Sequence, residues 1–484
     1  MFWSQVFSAV AVGERPSAIA RIARLVALSL FVLSIAVALL THGAVYPAAI
    51  SVSVLLMVIS LLTAFFGLGM SRSIEMAFYT VLGLWFTVLF SCLVQAMPLP
   101  PIIPAHPAWA VLTEIGLEGP RTLSPDPSSV LSAILPISLP FATLLAALLL
   151  FRSDEEVSLA LSIFGFAGAT FAAIAILQFV FFPDALLLGD KRFYLGSLTG
   201  PFVNRNTAAT FYGVTLLAIL CQIGRIDLLK LLRSGVLSAS SNASPARIGL
   251  LVGAALVSFV ALMLTNSRAG IASTVIGVVV YGIGMVLFPP ATGSSAQFRT
   301  VGSRHSSNIY LQVLIGLGLL LCLFWLFSGR AMLRAEIQGL DDGRFCILPG
   351  ILSAIKDNIW TGIGPGAFPS YFPAYRDPSC GLSGFWELAH NFYLDGLLAF
   401  GLLFFVALLL VVSFLFRMFG EGIRQRRKLR AVVWAGIASS FIVALHAGLD
   451  FSIQIPGFSA WWALFVAFVL RICTNRRKYK PASA

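Results

Sequence analysis

Long apolar runs separated by short polar interruptions recur along almost the whole chain. They lie near 22–42, 47–69, 77–97, 129–151, 157–182, 206–223, 248–266, 270–288, 309–328, 394–416, 432–449 and 457–472. Runs of about 18–24 residues are long enough to cross roughly 30 Å of hydrocarbon. The first follows Arg15, Arg21 and Arg24 and lacks a small-residue cleavage site, so it reads as a retained helix. The pattern predicts an all-α polytopic membrane protein with about twelve transmembrane helices, a single integral membrane domain over 1–484.

The interruptions differ in character. Residues 98–128 are proline-rich (Pro98, Pro100, Pro101, Pro104, Pro107) and read as irregular. The stretches Ser238–Pro245 and 289–308 read as flexible connectors. The one long polar excursion, 329–391, has a pattern of its own. Phe345, Leu348, Ile351, Leu352, Ile355 and Ile359 recur at helical spacing, which predicts a short helix in the membrane interface. Thr361-Gly362-Ile363-Gly364-Pro365-Gly366 then breaks it. Phe368, Tyr371, Phe372 and Tyr375 follow as an aromatic belt at headgroup depth. The excursion reads as a lid lying on the membrane.

Composition agrees: 58% of residues are hydrophobic and 11% charged, against roughly 25% charged in a soluble domain. With twelve spans both termini share one side. About two thirds of the Lys and Arg fall on that side, which the positive-inside bias makes cytoplasmic. The clusters there, Arg424-Gln425-Arg426-Arg427-Lys428 and the basic tail 473–484, face anionic lipid. The net charge of +12 therefore needs no nucleic acid as partner, and 183–206 and 329–391 become outer loops.

A few outer-face residues carry candidate chemistry. Arg205 lies between Asn204 and Asn206, just before an apolar run, where free helix N–H groups favour an anion and a guanidinium adds bidentate bonds to phosphate. Arg268 occupies the tight turn Asn266-Ser267-Arg268-Ala269-Gly270, as a ligand or as a surface anchor. Arg344 opens the interfacial helix, and for it and Arg205 a surface anchor is again the alternative. His390, in Ala389-His390-Asn391-Phe392-Tyr393, stands where the long loop re-enters the bilayer, as a general base, a substrate donor or a helix-start hydrogen-bonder. Asn391 and Tyr393 are placed to orient its ring or the substrate. His446 and Asp450 stand four apart and can pair with each other or line the same cavity. Cys346 and Cys380 share the large outer loop, where an oxidising compartment permits a disulfide; small apolar filling is the alternative.

Absent motifs narrow the choice. No phosphate-binding loop of the ATPase type occurs, no His/Cys cluster has zinc spacing, and the spans hold few ionisable residues for ion coupling. No metal, cofactor or nucleotide is therefore expected.

Five ordered segments resemble the O-antigen ligase superfamily, which includes O-antigen polymerases. They are Gly200–Asn206, Ser267-Arg268-Ala269-Gly270, Gly362-Ile363-Gly364-Pro365-Gly366-Ala367-Phe368, Ala389-His390-Asn391-Phe392-Tyr393-Leu394, and His446 with Asp450-Phe451. The resemblance covers roughly 195–460. It departs from the pattern at Thr207, where many relatives have histidine, and at Leu388, where a polar residue is usual. It implies a bacterial inner-membrane enzyme with both termini cytoplasmic and a catalytic loop in the periplasm. Such an enzyme moves a glycan from an undecaprenyl-diphosphate carrier to an acceptor hydroxyl, commonly on lipid A–core, without metal or nucleotide. By the same resemblance Arg205 and Arg268 hold the donor diphosphate and His390 orients or deprotonates the acceptor; Arg344, outside the matching segments, is read from its place on the outer face as a further diphosphate ligand. Asn204, Asn206, Asn391, Tyr393 and Asp450 support them. A polymerase joining lipid-linked repeats is the near alternative; a lipid-linked glycan flippase or exporter is the alternative from another class.

Overall fold

The computed structural model describes residues 17–187, 189–226, 245–291, 346–380 and 386–475. They form an all-α membrane protein. Among them, eleven helices are long and apolar enough to cross a membrane. The predicted span 309–328 lies outside the described residues, as does Arg344.

The chain opens with α1 (Ala18–Leu40), α2 (Pro47–Leu68) and α3 (Glu75–Ala96). The proline-rich segment carries a seven-residue helix, α4 (Ala108–Glu114), where an irregular stretch was expected. Then come α5 (Pro127–Leu150) and α6 (Asp154–Phe181). A minimal hairpin, β1 (Ala185–Leu186) with β2 (Gly189–Asp190), leads to α7 (Arg205–Ile223). Next are α8 (Pro245–Leu264), α9 (Arg268–Leu287) and the short α10 (Leu348–Asp357). Two helices, α11 (Phe392–Phe400) and α12 (Leu402–Gln425), replace the single span predicted over 394–416. Gly401, at φ +58°, separates them. A Cβ there would meet Ile359 O at 2.4 Å, so the break needs glycine both for its φ and for close backbone approach. The chain ends on α13 (Arg430–Ala447) and α14 (Pro456–Thr474).

Burial ranks the spans. The apolar window of α14 is 94% buried within the protein and that of α7 is 89% buried, whereas α12 is only 11% buried and faces outward. Lipid gives helices no hydrophobic reason to associate, so close packing over small residues must hold them. Gly168 of α6 lies against Thr215 of α7, Gly213 of α7 against Thr274 of α9, and Gly277 of α9 against Ile442 of α13. Aromatic stacking adds to this around α14, where Phe164 and Trp461 lie 3.9 Å apart at 20°.

Polar contacts gather at the two ends of the bundle. At the end holding the N-terminus of α1, Arg24 pairs with Glu156 at 2.7 Å, and Arg426 pairs with Asp154. Arg471 donates to Phe151 O at 2.7 Å and Arg152 O at 2.8 Å. These contacts satisfy cations held out of water.

At the opposite end the loop ahead of α11 builds a core of its own. Ile347, Ile351, Ile355, Phe368, Phe372 and Leu398 bury one another. Phe368 and Phe372 stack at 4.8 Å and are 3% and 1% exposed. They fill this small core rather than forming a headgroup belt, which corrects the sequence reading. Gly362 and Gly364, at φ +68° and +92°, let the loop run beside the α11–α12 break, with Ile363 N donating to Leu398 O at 2.8 Å.

Close packing makes a direct prediction. A Cβ at Gly277 would stand 2.4 Å from Ile442 Cγ1 and 3.1 Å from Ala438 O. Gly277→Val should therefore destabilise the bundle by about 1–3 kcal/mol, read as a lowered thermal midpoint of the purified protein in detergent. An unchanged midpoint would contradict this packing.

Candidate functional site

The site forms at the end of the bundle where α7 and α9 both begin. Asn204 caps α7, its Oδ1 accepting from Asn206 N at 2.8 Å. Ser267 caps α9, its Oγ accepting from Gly270 N at 3.3 Å. Arg205 and Arg268 are thus the first helical residues of two neighbouring spans. Unsatisfied N–H groups and the aligned dipoles make both starts electropositive before either side-chain charge is counted.

Asn206 ties these starts to the rest of the site. Its Nδ2 donates to Asp450 Oδ2, and its Oδ1 accepts from Ser267 Oγ at 2.8 Å. Asp450 Oδ1 accepts from Ser452 Oγ at 3.0 Å. One turn on from Asn206, Thr210 Oγ1 lies 2.6 Å from His446 Nδ1. Asp450 is fully buried, and His446 and Ser267 are each 1% exposed. Polar groups removed so completely from water must be bonded in the protein.

From Asp450 the contacts pass to its neighbour Phe451, whose ring lies 4.9 Å from that of His390. Trp386 meets the same imidazole edge-on at 5.4 Å. His390 holds φ +52°, a left-handed conformation uncommon outside glycine. Asn391 follows it as the cap of α11, Oδ1 accepting from Tyr393 N and Leu394 N at 3.0 and 3.1 Å. Its Nδ2 donates to Gly448 O at 2.8 Å, and Tyr393 Oη donates to Ala444 O at 2.7 Å. Asn391 and Tyr393 therefore fasten the start of α11 to the end of α13.

The arginines differ in setting. Arg205 is half-buried, with Nη1 donating to Ser197 Oγ at 3.4 Å and its guanidinium 5.4 Å from the centre of the Tyr194 ring. Arg268 is exposed. Cys346 is disulfide-bonded, whereas Cys92, Cys221 and Cys473 are free. That leaves Cys322 and Cys380 as the cysteines able to bridge it; neither side chain lies among the described ones. Among the described residues, no group of three or more His, Cys, Asp and Glu is placed to hold a metal ion.

Several residues of the cluster carry no motif of their own. Ser197 and Asn266 sit beside Arg205, with Asn266 Nδ2 donating to Gly196 O at 3.2 Å. Asp395 accepts from Ala389 N at 3.4 Å and from Gln454 Nε2, so it pins the turn that carries His390. Only an acid inside an apolar stretch marked it in the sequence.

No protein-family model matches the chain, and no curated protein matches it in sequence.

Asp395 gives the site a pH dependence. It lies on α11, ahead of the span that starts at Leu402. Burial pushes its carboxyl from 3.8 up to about 6, against the lowering effect of the Gln454 and Ala389 bonds. The folded state thus holds this proton more tightly than the unfolded chain. The associated stability is fully present below about pH 4 and is lost as pH rises through about 6. Asp395→Asn should remove that fall, narrowing the difference in thermal midpoint between pH 4 and pH 7 relative to wild type. Identical slopes for the two proteins would show that Asp395 does not titrate there.

Proposed function

We propose that the protein is a membrane glycosyltransferase. It transfers a glycan from an undecaprenyl-diphosphate carrier to an acceptor hydroxyl, as an O-antigen ligase-like enzyme with lipid A–core as the acceptor. It would work at the periplasmic face of a bacterial inner membrane. The observation that carries this reading is the Asn206 junction. It joins the Arg205 start of α7, the Ser267–Arg268 start of α9 and, through Asp450 and Phe451, the His390 turn.

The proposed chemistry asks little of the protein beyond placement. The acceptor oxygen forms a bond to the sugar C1 as the C1–oxygen bond to the diphosphate breaks. The electron pair leaves with undecaprenyl diphosphate, and the acceptor proton passes to His390. A diphosphate is already a good leaving group, so no acid need protonate it. Arg205, Arg268 and the two helix starts offset the charge that grows on it. Bidentate guanidinium contacts suit phosphate better than an ammonium does. A positioned base contributes about 10²–10⁴ in rate, and holding two amphiphiles in register supplies a further part of the acceleration. In-line attack inverts the anomeric centre.

The test uses purified protein with undecaprenyl-diphosphate glycan and either lipid A–core or a second donor. His390→Ala should lower transfer by about 10²-fold or more while donor binding persists. Near-normal transfer by that variant would remove His390 from the reaction. Arg205→Lys keeps the charge but loses the fork, and should weaken donor binding by about tenfold. Unchanged donor affinity would count against Arg205 as a diphosphate ligand. Product on lipid A–core identifies a ligase and product on the second donor a polymerase. Carrier movement between leaflets without any transfer would mark a flippase.

A further inference from the structure

The segment between α6 and α7 encloses a lysine that the cluster above leaves unused. Lys191 follows β2 and is 8% exposed, where lysine is ordinarily found in water unless paired. Its backbone N–H donates to Asp184 O at 2.8 Å, and its Nζ donates to Ser197 O. An ammonium has three N–H donors, and among the described residues that carbonyl is its only hydrogen-bond acceptor. The side chain also lines a small cleft with Gln178, Pro183, Leu198, Thr199 and Gly200. Burial lowers its pKa, opposed by Asp184, so the charged form is held at a cost.

Ser197 brings this ammonium to the site. Its carbonyl accepts from Lys191, while its hydroxyl accepts from Arg205 Nη1 and Asn266 Nδ2, each at 3.4 Å. A guanidinium and an ammonium thus meet on one residue, beside the electropositive start of α7. An anion lying between two cations that share one residue is attracted by both.

We propose that Lys191 and Arg205 form a two-cation clamp for a phosphate-rich headgroup, in which Lys191 engages the second phosphate of a lipid-linked diphosphate. The clamp rests on the donor reading above and adds a residue that would select diphosphate over monophosphate. The shared ligand chemistry is a phosphate ester, and anionic phospholipid of the bilayer is the other source of it. Two cations joined through one serine match two linked phosphates, whereas a phospholipid diester presents a single charge.

The test uses the full chain in nanodiscs of phosphatidylcholine, with undecaprenyl diphosphate and undecaprenyl monophosphate as probes. Lys191→Gln keeps a donor for Ser197 O and removes the charge, and Lys191→Arg keeps the charge. Wild type should prefer the diphosphate, and Lys191→Gln should lose about tenfold in diphosphate affinity with monophosphate affinity changed by less than about twofold. Lys191→Arg should retain the preference. Equal loss on both lipids, or no loss, makes Lys191 a loop fastener and overturns the clamp. Competition by added phosphatidylglycerol overturns it in favour of a phospholipid site. If Lys191→Gln does not fold, the preference measured for Lys191→Arg decides, and its loss overturns charge recognition at this position. Failure of wild type to bind the diphosphate removes the donor reading itself, whereas wild-type binding with unchanged selectivity in Lys191→Gln removes only the clamp.

Discussion

The buried bond between Asn206 and Asp450 is the constraint on which the site end of the bundle depends. An asparagine amide has both donor and acceptor capacity, and Asn206 uses both at once, donating to Asp450 and accepting from Ser267. Its position just inside α7 fixes the direction of that helix start, and its two partners stand at the start of α9 and just after α13. Three segments distant in sequence are thereby held in one register. Removing any one partner would strand a polar group away from water, at about 1–3 kcal/mol. Both arginines are sequence neighbours of bonded atoms in this junction, so its geometry passes directly to them.

A second constraint holds His390. The Gly362–Gly366 loop lies along the break at Gly401, where Leu402 N donates to Ile359 O at 2.8 Å and Gln95 Nε2 donates to both Thr361 O and Ala399 O at 2.8 Å. This backbone-to-backbone fit leaves no room for a Cβ at Gly362, which would meet Ala399 O at 2.3 Å. The loop core therefore sets where α11 begins, and Asn391 with Asp395 sets the turn before it. The positive φ of His390 is held from both sides by these bonds, which over-determine a strained backbone.

Much of the bundle was legible because hydrophobic runs of spanning length leave a helical crossing as the simplest arrangement that satisfies their backbone. The division of 394–416 at Gly401 was not legible, since a glycine in an apolar run also occurs inside unbroken membrane helices. Phe368 and Phe372 misled for a related reason. Aromatic residues beside a membrane suit either headgroup contact or a small core, and sequence spacing does not say which partner is present. At the site, Arg205, Arg268 and His390 stood out as charge or imidazole among apolar neighbours. Ser197 did not, and Ser267 and Asn266 showed only as neighbours of Arg268, because their role comes from contacts across the fold, such as Ser267 Oγ to Asn206 Oδ1, rather than from local pattern. The capping role of Asn391 is local, and Asn ahead of an apolar run was the available signal.

Charge is handled differently at the two ends of the molecule. At the basic end, Arg471 is met by the carbonyls of Phe151 and Arg152, Arg24 by Glu156 and Arg426 by Asp154, so cations close the bundle by consuming acceptors. At the other end, Lys191 is taken out of water with one carbonyl as its hydrogen-bond acceptor among the described residues. A buried ammonium stripped of its hydration is a poor stabiliser of a fold, because desolvation exceeds what one carbonyl and the nearby Asp184 return. The same ammonium is a good receptor, because the cost of dehydrating it has been met before a ligand arrives. Placing it on Ser197, the residue that also touches Arg205, puts that readiness where the two helix starts already favour negative charge. An anion arriving at this end would meet the Lys191 ammonium, the Arg205 guanidinium and two helix starts together.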